Sequence, residues 1–397
     1  MNFEGNFMKF GELKIPHINV MEFPQEQNDF HTKLFIQYMD ILKKTDLGKH
    51  VLNLLSNDKR VQSLVGTNII QAQSSMPFDI ERLGCWYLWR ANNIGTTQAE
   101  LELNEYLDSD DLEVVNIVWI LGIDVDIKIE ILDNIEIIPI SKMHDSAVKE
   151  KFLQNRFKHM PYKMPTPSAA LVSTSINKKS DGLHSDAAVQ NKLEDICLLL
   201  NLLSNTSCLT YFSYIEVSER TPIGPFGGYG GSGVVSDVIG DKTTKLIKED
   251  FFEITELYNS FINLDKEDQR RFYIIINRIS QAKRRHSLED KILDLVIALE
   301  MMLLDDNNKS QLKLQFKLRG SLLISKSDIE KKDLFSILSK LYDYRSSVAH
   351  SGVLKEKDRM IINDNFQDYC DLTEKICKTL IISGKPEWDN LLLGIEL

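Results

Sequence analysis

From about Lys248 to Gly384 the apolar residues recur with helical spacing, and the breaks between helical stretches are only two to six residues long. Connections that short leave consecutive helices little choice but to pack as antiparallel neighbours. The pattern predicts helices near 249–263, 265–285, 287–305, 309–324, 328–350 and 356–382. Ser287, with Asp290 three residues on, resembles a capping box at the start of the third. Gly352 and Gly384 sit where the fifth and sixth should stop. An all-α helical bundle is therefore expected for 248–397.

The third of these helices carries the strongest local signal. In "SLEDKILDLVIALEMMLLDD" the residues from Ile292 to Leu304 are apolar on nearly every side, which marks a buried helix. Glu300 stands near its centre and Asp294 earlier. A buried carboxylate without a cation costs several kcal/mol or takes up a proton. The candidate partners on nearby helices are Arg278, Arg319 and Arg345. Glu300 is expected either to lock helices together or to orient a functional arginine.

The first 180 residues read differently. Residues 33–71 have helical spacing, with a break expected at Gly48. The run from Asp124 to Ile131 alternates polar and apolar, Asp133-Asn134 marks a turn, and Ile135 to Ile140 resumes. A hairpin over 124–140 follows, with Val114–Leu121 as a third strand beside it. The expected class is α+β for 1–180. Residues 161–184, rich in Pro, Ser and Lys, read as a linker. A helix over 185–204, a strand over Leu209–Val217 and a glycine-rich loop complete a connecting segment, 181–247.

The formal net charge of −11 argues against a protein held on nucleic acid by bulk charge, while leaving room for a local basic site. The five cysteines are scattered and form no C-x-x-C, so buried reduced thiols are expected. No basic-then-apolar leader opens the chain, and no apolar run reaches the ~20 residues of a membrane span. The expectation is a cytoplasmic protein with no membrane association.

Several weaker patterns are set aside. Gly228, Gly230 and Gly233 match G-x-G-x-x-G, but Glu219-Arg-Thr-Pro precedes the motif where a strand should lead in, and no helix pattern follows. A surface loop is the reading for "PIGPFGGYGGSG". His144, His159 and His184 show no metal-ligand spacing, and Asp108, Asp110 and Asp111 lack the glycine turn and distal glutamate of a calcium loop. The basic stretch of Arg270, Arg271, Arg278, Lys283, Arg284, Arg285 and His286 is either an RNA-gathering face or a solvated helix face.

The remaining feature is "LYDYRSSVAHSG", 341–352, which places Arg345 and His350 near the end of the fifth helix. Five helical residues turn by about 140°, so the two share a face only if the helix ends near Ala349. The helix dipole there favours a protonated histidine.

With its R-S-x-x-x-H-x-G ending, the glutamate helix "DKILDLVIALE" and Arg319 of "KLRGSLL", the segment 250–383 resembles a HEPN domain, and within that superfamily the Apea-like branch of prokaryotic antiviral and abortive-infection proteins. The superfamily signature is an arginine and a histidine a few residues apart at the end of a long helix. The resemblance covers about the last third of the chain and says nothing of residues 1–180. It implies a metal-independent endoribonuclease acting as a homodimer, without cofactor, on tRNA or single-stranded RNA. Arg345 would hold the scissile phosphate, His350 would serve as acid or base, and Glu300 would orient Arg345. Ser346, Asp343, Tyr344, Arg278 and Arg319 are candidates for supporting or RNA-binding roles. Ser346 departs from the amide, acid or imidazole that follows the arginine in many active members. The N-terminal region would sense a phage-derived or small-molecule trigger, or restrain the nuclease. The alternative is a non-catalytic HEPN dimerisation or partner-binding protein.

Overall fold

The computed structural model describes Phe10, Lys149 and residues 30–71, 74–143, 167–179, 187–203, 205–224, 228–233, 243–304 and 311–394. His144, His159, His184, Gly227 and residues 161–166 and 180–184 of the expected linker lie outside these residues.

The chain opens with helices α1 (Phe30–Lys44), α2 (Asp46–Asn57) and α3 (Lys59–Leu64), the short strands β1 (Asn68–Gln71) and β2 (Ser74–Pro77), then α4 (Ile80–Ile94) and α5 (Thr96–Asp108). Their core holds Leu42, Leu55, Trp86, Tyr87 and Leu103. The expected break at Gly48 falls instead at Thr45, whose hydroxyl caps α2 by accepting from the Gly48 N–H at 3.0 Å. Gly48 lies inside α2 because a Cβ there would sit 2.4 Å from the Ile41 carbonyl oxygen. Only glycine lets the two helices approach that closely.

A six-stranded antiparallel sheet follows, in the order β5-β6-β7-β3-β8-β9. Its strands are β3 (Asp111–Leu121), β5 (Ile129–Leu132), β6 (Ile135–Pro139), β7 (Ala169–Lys178), β8 (Leu209–Val217) and β9 (Gly228–Gly233). Separately, β4 (Ile123–Val125) pairs in parallel with β10 (Thr244–Leu246). The β5–β6 hairpin turns at Asp133-Asn134, with Asn134 at φ 63°.

Three details differ from expectation. The hairpin does not abut β3, because β7 lies between them. That strand falls inside the presumed linker, where flanking Pro and Lys obscure a run whose buried residues are Ala169, Ala170, Leu171 and Ser173. The glycine-rich segment contributes β9, paired with β8, so Gly228–Gly233 is strand rather than loop. Consequently the sheet takes strands from both sides of residue 180, and the 181–247 segment belongs to it.

Helix α6 (Ala187–Leu199) and a 3-10 turn (Leu200–Leu202) join the sheet to the helical part, whose elements are α7 (Phe252–Asn263), α8 (Lys266–Arg284), α9 (Leu288–Leu303), α10 (Leu312–Ile324), α11 (Asp328–Ser351), α12 (Glu356–Ser383) and α13 (Trp388–Leu393). An N-terminal α/β region with an antiparallel sheet thus precedes an all-helical C-terminal region. One hydrophobic core runs through both, from Val118 and Ile137 of the sheet to Leu299 and Leu341 of the bundle. No described helix is long and apolar enough to cross a membrane.

A buried polar joint holds the two regions together. The Lys283 ammonium on α8 sits 2.7 Å from the Glu374 carboxylate on α12, and donates to the backbone carbonyls of Asn201 and Thr206 at 2.8 and 2.7 Å. Asn201 in turn accepts from Ser280 and from the Cys208 N–H. Arg284, 6% exposed, donates to the hydroxyls of Ser207 and Ser280.

Burial pushes the Glu374 carboxyl up to about 7 despite the Lys283 ammonium. The folded chain therefore keeps this proton to higher pH than the unfolded chain. Stability from this group is present at low pH and falls as pH rises from the ordinary glutamate range to about 7. Urea denaturation between those limits should show wild type losing stability, relative to Glu374→Gln, as pH increases. Parallel curves for the two proteins would contradict this assignment.

Candidate functional site

Helix α9 is apolar on almost every side because it runs through the bundle, with Ile292, Leu295, Val296, Leu299 and Leu303 fully buried. Two of the carboxylates it carries inward are met by arginine as follows. Asp294, 3% exposed, accepts from Arg278 at 2.6 Å and from Arg285 at 3.0 Å. Glu300 accepts an ion pair from Arg345 of α11, Nη2 to Oε2, at 3.3 Å. Of the three cations considered for Glu300, Arg345 is the one in place.

The Glu300–Arg345 pair is neither deep in the core nor fully solvated. The Glu300 side chain is 19% exposed and that of Arg345 35%. Burial raises the Glu300 carboxyl above the usual range, and the neighbouring guanidinium opposes that rise. The Arg345 Nε is buried without a hydrogen-bond partner. Glu300 thus meets the guanidinium at Nη2, while the Nε is closed to solvent.

His350 is exposed on the last turn of α11. The helix does not end near Ala349, as convergence with Arg345 would require. It continues to Ser351, where Gly352, at φ 72°, adopts the left-handed cap and its N–H bonds to the Val348 carbonyl. On this unbroken helix Arg345 and His350 stay about 140° apart around the axis. Within one chain they face different directions: Arg345 inward to α9, His350 outward to solvent.

The supporting candidates are distributed as follows. Asp343 is held at the surface by Lys313 of α10, at 2.6 and 2.7 Å to its two oxygens. Tyr344 is buried and hydrogen-bonds with Tyr369 of α12, so its ring packs in the bundle. Tyr342 meets Phe316 edge to face at 5.4 Å. Arg319 is buried, donates to the Leu303 carbonyl at 2.9 Å and lies over the Trp388 ring, which closes the C-terminus of α9. Arg278 is tied to Asp294. Ser346 is partly exposed, one residue from Arg345.

The basic stretch on α8 and just beyond resolves into internal cations. Arg271 donates to the Met301 carbonyl, Arg278 and Arg285 serve Asp294, and Lys283 and Arg284 build the joint to the sheet. Arg270 and His286 are exposed. The acidic residues before the sheet are paired rather than clustered for metal: Asp108 accepts from Arg60 at 2.6 Å and Asp111 from Lys178.

The Lys283–Glu374 joint escaped the sequence reading. The signal for it was present: a glutamate inside the apolar stripe Leu372, Thr373, Ile376 and Cys377 of α12, as unusual as Glu300 on α9.

No protein-family model matches the chain, and no significant match was found to any curated protein or any solved structure.

A double-mutant cycle on Glu300→Gln and Arg345→Met should give a coupling energy of about 1–2 kcal/mol in low-salt urea denaturation, as for a partly buried ion pair. Additive effects of the two substitutions would show that the pair contributes nothing to stability.

Proposed function

We propose that the chain is a metal-independent endoribonuclease of the HEPN type, acting as a homodimer in prokaryotic antiviral or abortive-infection defence in the cytoplasm. The observation that carries this reading is the Glu300–Arg345 pair, which holds an arginine at 3.3 Å from an inward carboxylate while His350 stands exposed at the end of the same helix.

The chemistry needs no cofactor. The RNA 2′-oxygen attacks the adjacent phosphorus, the P–O5′ bond breaks, and the products are a 2′,3′-cyclic phosphate and a 5′-hydroxyl. His350 serves as acid or base, removing the 2′-hydroxyl proton or protonating the leaving 5′-oxygen, and water takes the other proton transfer. A guanidinium carries the charge that builds on the non-bridging oxygens. DNA lacks the attacking group and is not cut.

The geometry of α11 bears on how these groups meet. Since Arg345 and His350 of one chain diverge, a complete site in this reading draws Arg345 from one copy and His350 from the other, across a two-fold axis. Val353 and Met360, 61% and 58% exposed, follow His350 in the chain and offer apolar surface for that contact. The N-terminal α/β region serves as sensor or restraint, joined through the buried Lys283–Glu374 link.

A second reading rests on the same pair: Arg345 and Glu300 are purely structural, and the helical region is a non-catalytic dimerisation or partner-binding module. The commitment of most of the α8 cations to internal bonds favours it.

Incubation of the full chain with tRNA and with single-stranded RNA in EDTA separates the two. The nuclease reading expects fragments ending in 2′,3′-cyclic phosphate from wild type and none from His350→Ala. Equal cleavage by both proteins overturns the role given to His350, and no cleavage by wild type supports the binding module.

A further inference from the structure

A cleft of about 790 Å³ opens between the edge of the sheet and the first helix of the bundle, well away from Arg345. One wall is β5 with the loop before it, and the other is the face of α7 carrying Thr255, Tyr258, Asn259 and Ile262 at helical i, i+3, i+4, i+7 spacing. The two walls touch where the Thr255 hydroxyl donates to the Ile131 carbonyl at 2.7 Å, and diverge from there. The volume lies within the roughly 300–1,000 Å³ of small-molecule sites.

Its lining has a specific chemistry. Ile127 and Ile262 are 50% and 44% exposed, on opposite walls. Large aliphatic side chains facing one another across a cleft favour an apolar occupant. Lys192 and Lys248 also line it, and among the described residues neither has an ion-pair partner. The Lys192 ammonium lies 5.7 Å from the Tyr258 ring centroid, which holds it over the cleft.

Two carboxylates, Glu130 and Asp133, line the cleft as well, against the three ammoniums of Lys128, Lys192 and Lys248, and among the described residues neither carboxylate forms an ion pair with Lys192 or Lys248. Strand alternation directs Ile129 and Ile131 to the buried side and Glu130 to the opposite, exposed one. Glu130 is paired across the hairpin with Glu136, which is held by Lys128 at 2.7 Å. Asp133 is at the exposed hairpin turn. Asp195, near Tyr258, is half-buried and close to Lys266.

We infer that this cleft binds an amphipathic monoanion, an acyl carboxylate of medium chain length, with its chain between Ile127 and Ile262 and its carboxylate held by Lys192 and Lys248. Two ammonium groups match the two oxygens of a carboxylate, and the aliphatic walls match the chain. Because the cleft is walled by both the sheet and the bundle, an occupant contacts both regions at once.

Calorimetric titration of the full chain with decanoate tests this, with decylamine as the cationic control and octyl phosphate as the alternative headgroup. Decanoate should bind one equivalent and decylamine should not. The double variant Lys192→Met, Lys248→Met should weaken decanoate by about tenfold or more. Ile262→Asn, at an exposed position, should weaken it as well, with thermal melting unchanged in each protein. The inference is overturned if decanoate does not bind below its micellar concentration, if decylamine binds as well, or if the lysine variant binds like wild type. Tighter binding of octyl phosphate than of decanoate overturns the carboxylate assignment. None of these measurements involves RNA, so their outcome is separate from that of the nuclease reading.

Discussion

Charge inside the helical region has to be matched, and the bundle is arranged around that requirement. Three of the carboxylates that face inward from apolar helices are each met by a cation from a different helix or from the loop beyond it: Asp294 by Arg278 and Arg285, Glu300 by Arg345, and Glu374 by Lys283. Removing one partner of such a pair leaves a charge with neither water nor counter-ion, which costs far more than the pair itself contributes. The pairs therefore act mainly as selectors of arrangement. They fix α8 against α9, α9 against α11 and α8 against α12. Through the carbonyls of Asn201 and Thr206, the last also fixes the bundle against the sheet.

The three pairs differ in solvent access, and that difference separates structure from candidate chemistry. Lys283 and Glu374 have side chains 8% and 3% exposed, and Lys283 also donates to the Asn201 and Thr206 carbonyls. Arg345 is 35% exposed and engages Glu300 through one nitrogen. A guanidinium held at one end and open at the other is positioned without being consumed. Its orientation is set by the protein, and the part of it that reaches solvent carries N–H donors at its η nitrogens.

The helical region was readable from sequence because the 3.6-residue period persists and the caps are conventional. Ser287 and Gly352 act as the start and stop expected of them. Glu300 was identifiable as needing a cation because it interrupts an apolar helix, and Arg345 proved to be that cation. The sheet was harder. Strand β7 was hidden by the composition of its neighbours, and β9 is built from glycines that carry no side-chain pattern at all. Strand order was also out of reach, since the hairpin pairs with a strand that follows it by some thirty residues instead of with β3 immediately before it. The continuation of α11 past Ala349 was misjudged because Ser351-Gly352 signals a stop, but the stop lies at Gly352 itself.

That continuation gives the functional account its sharpest consequence. With Arg345 and His350 on different faces of one helix, a site using both needs two copies. Subunit complementation tests this directly. Arg345→Ala and His350→Ala proteins, each inactive alone, are mixed under conditions that exchange subunits, and cleavage of single-stranded RNA is measured in EDTA. A mixed dimer holds one site with both groups intact, so the mixture should recover a substantial fraction of wild-type activity. If the mixture stays as inactive as its components while exchange is demonstrated, the two-copy site is wrong.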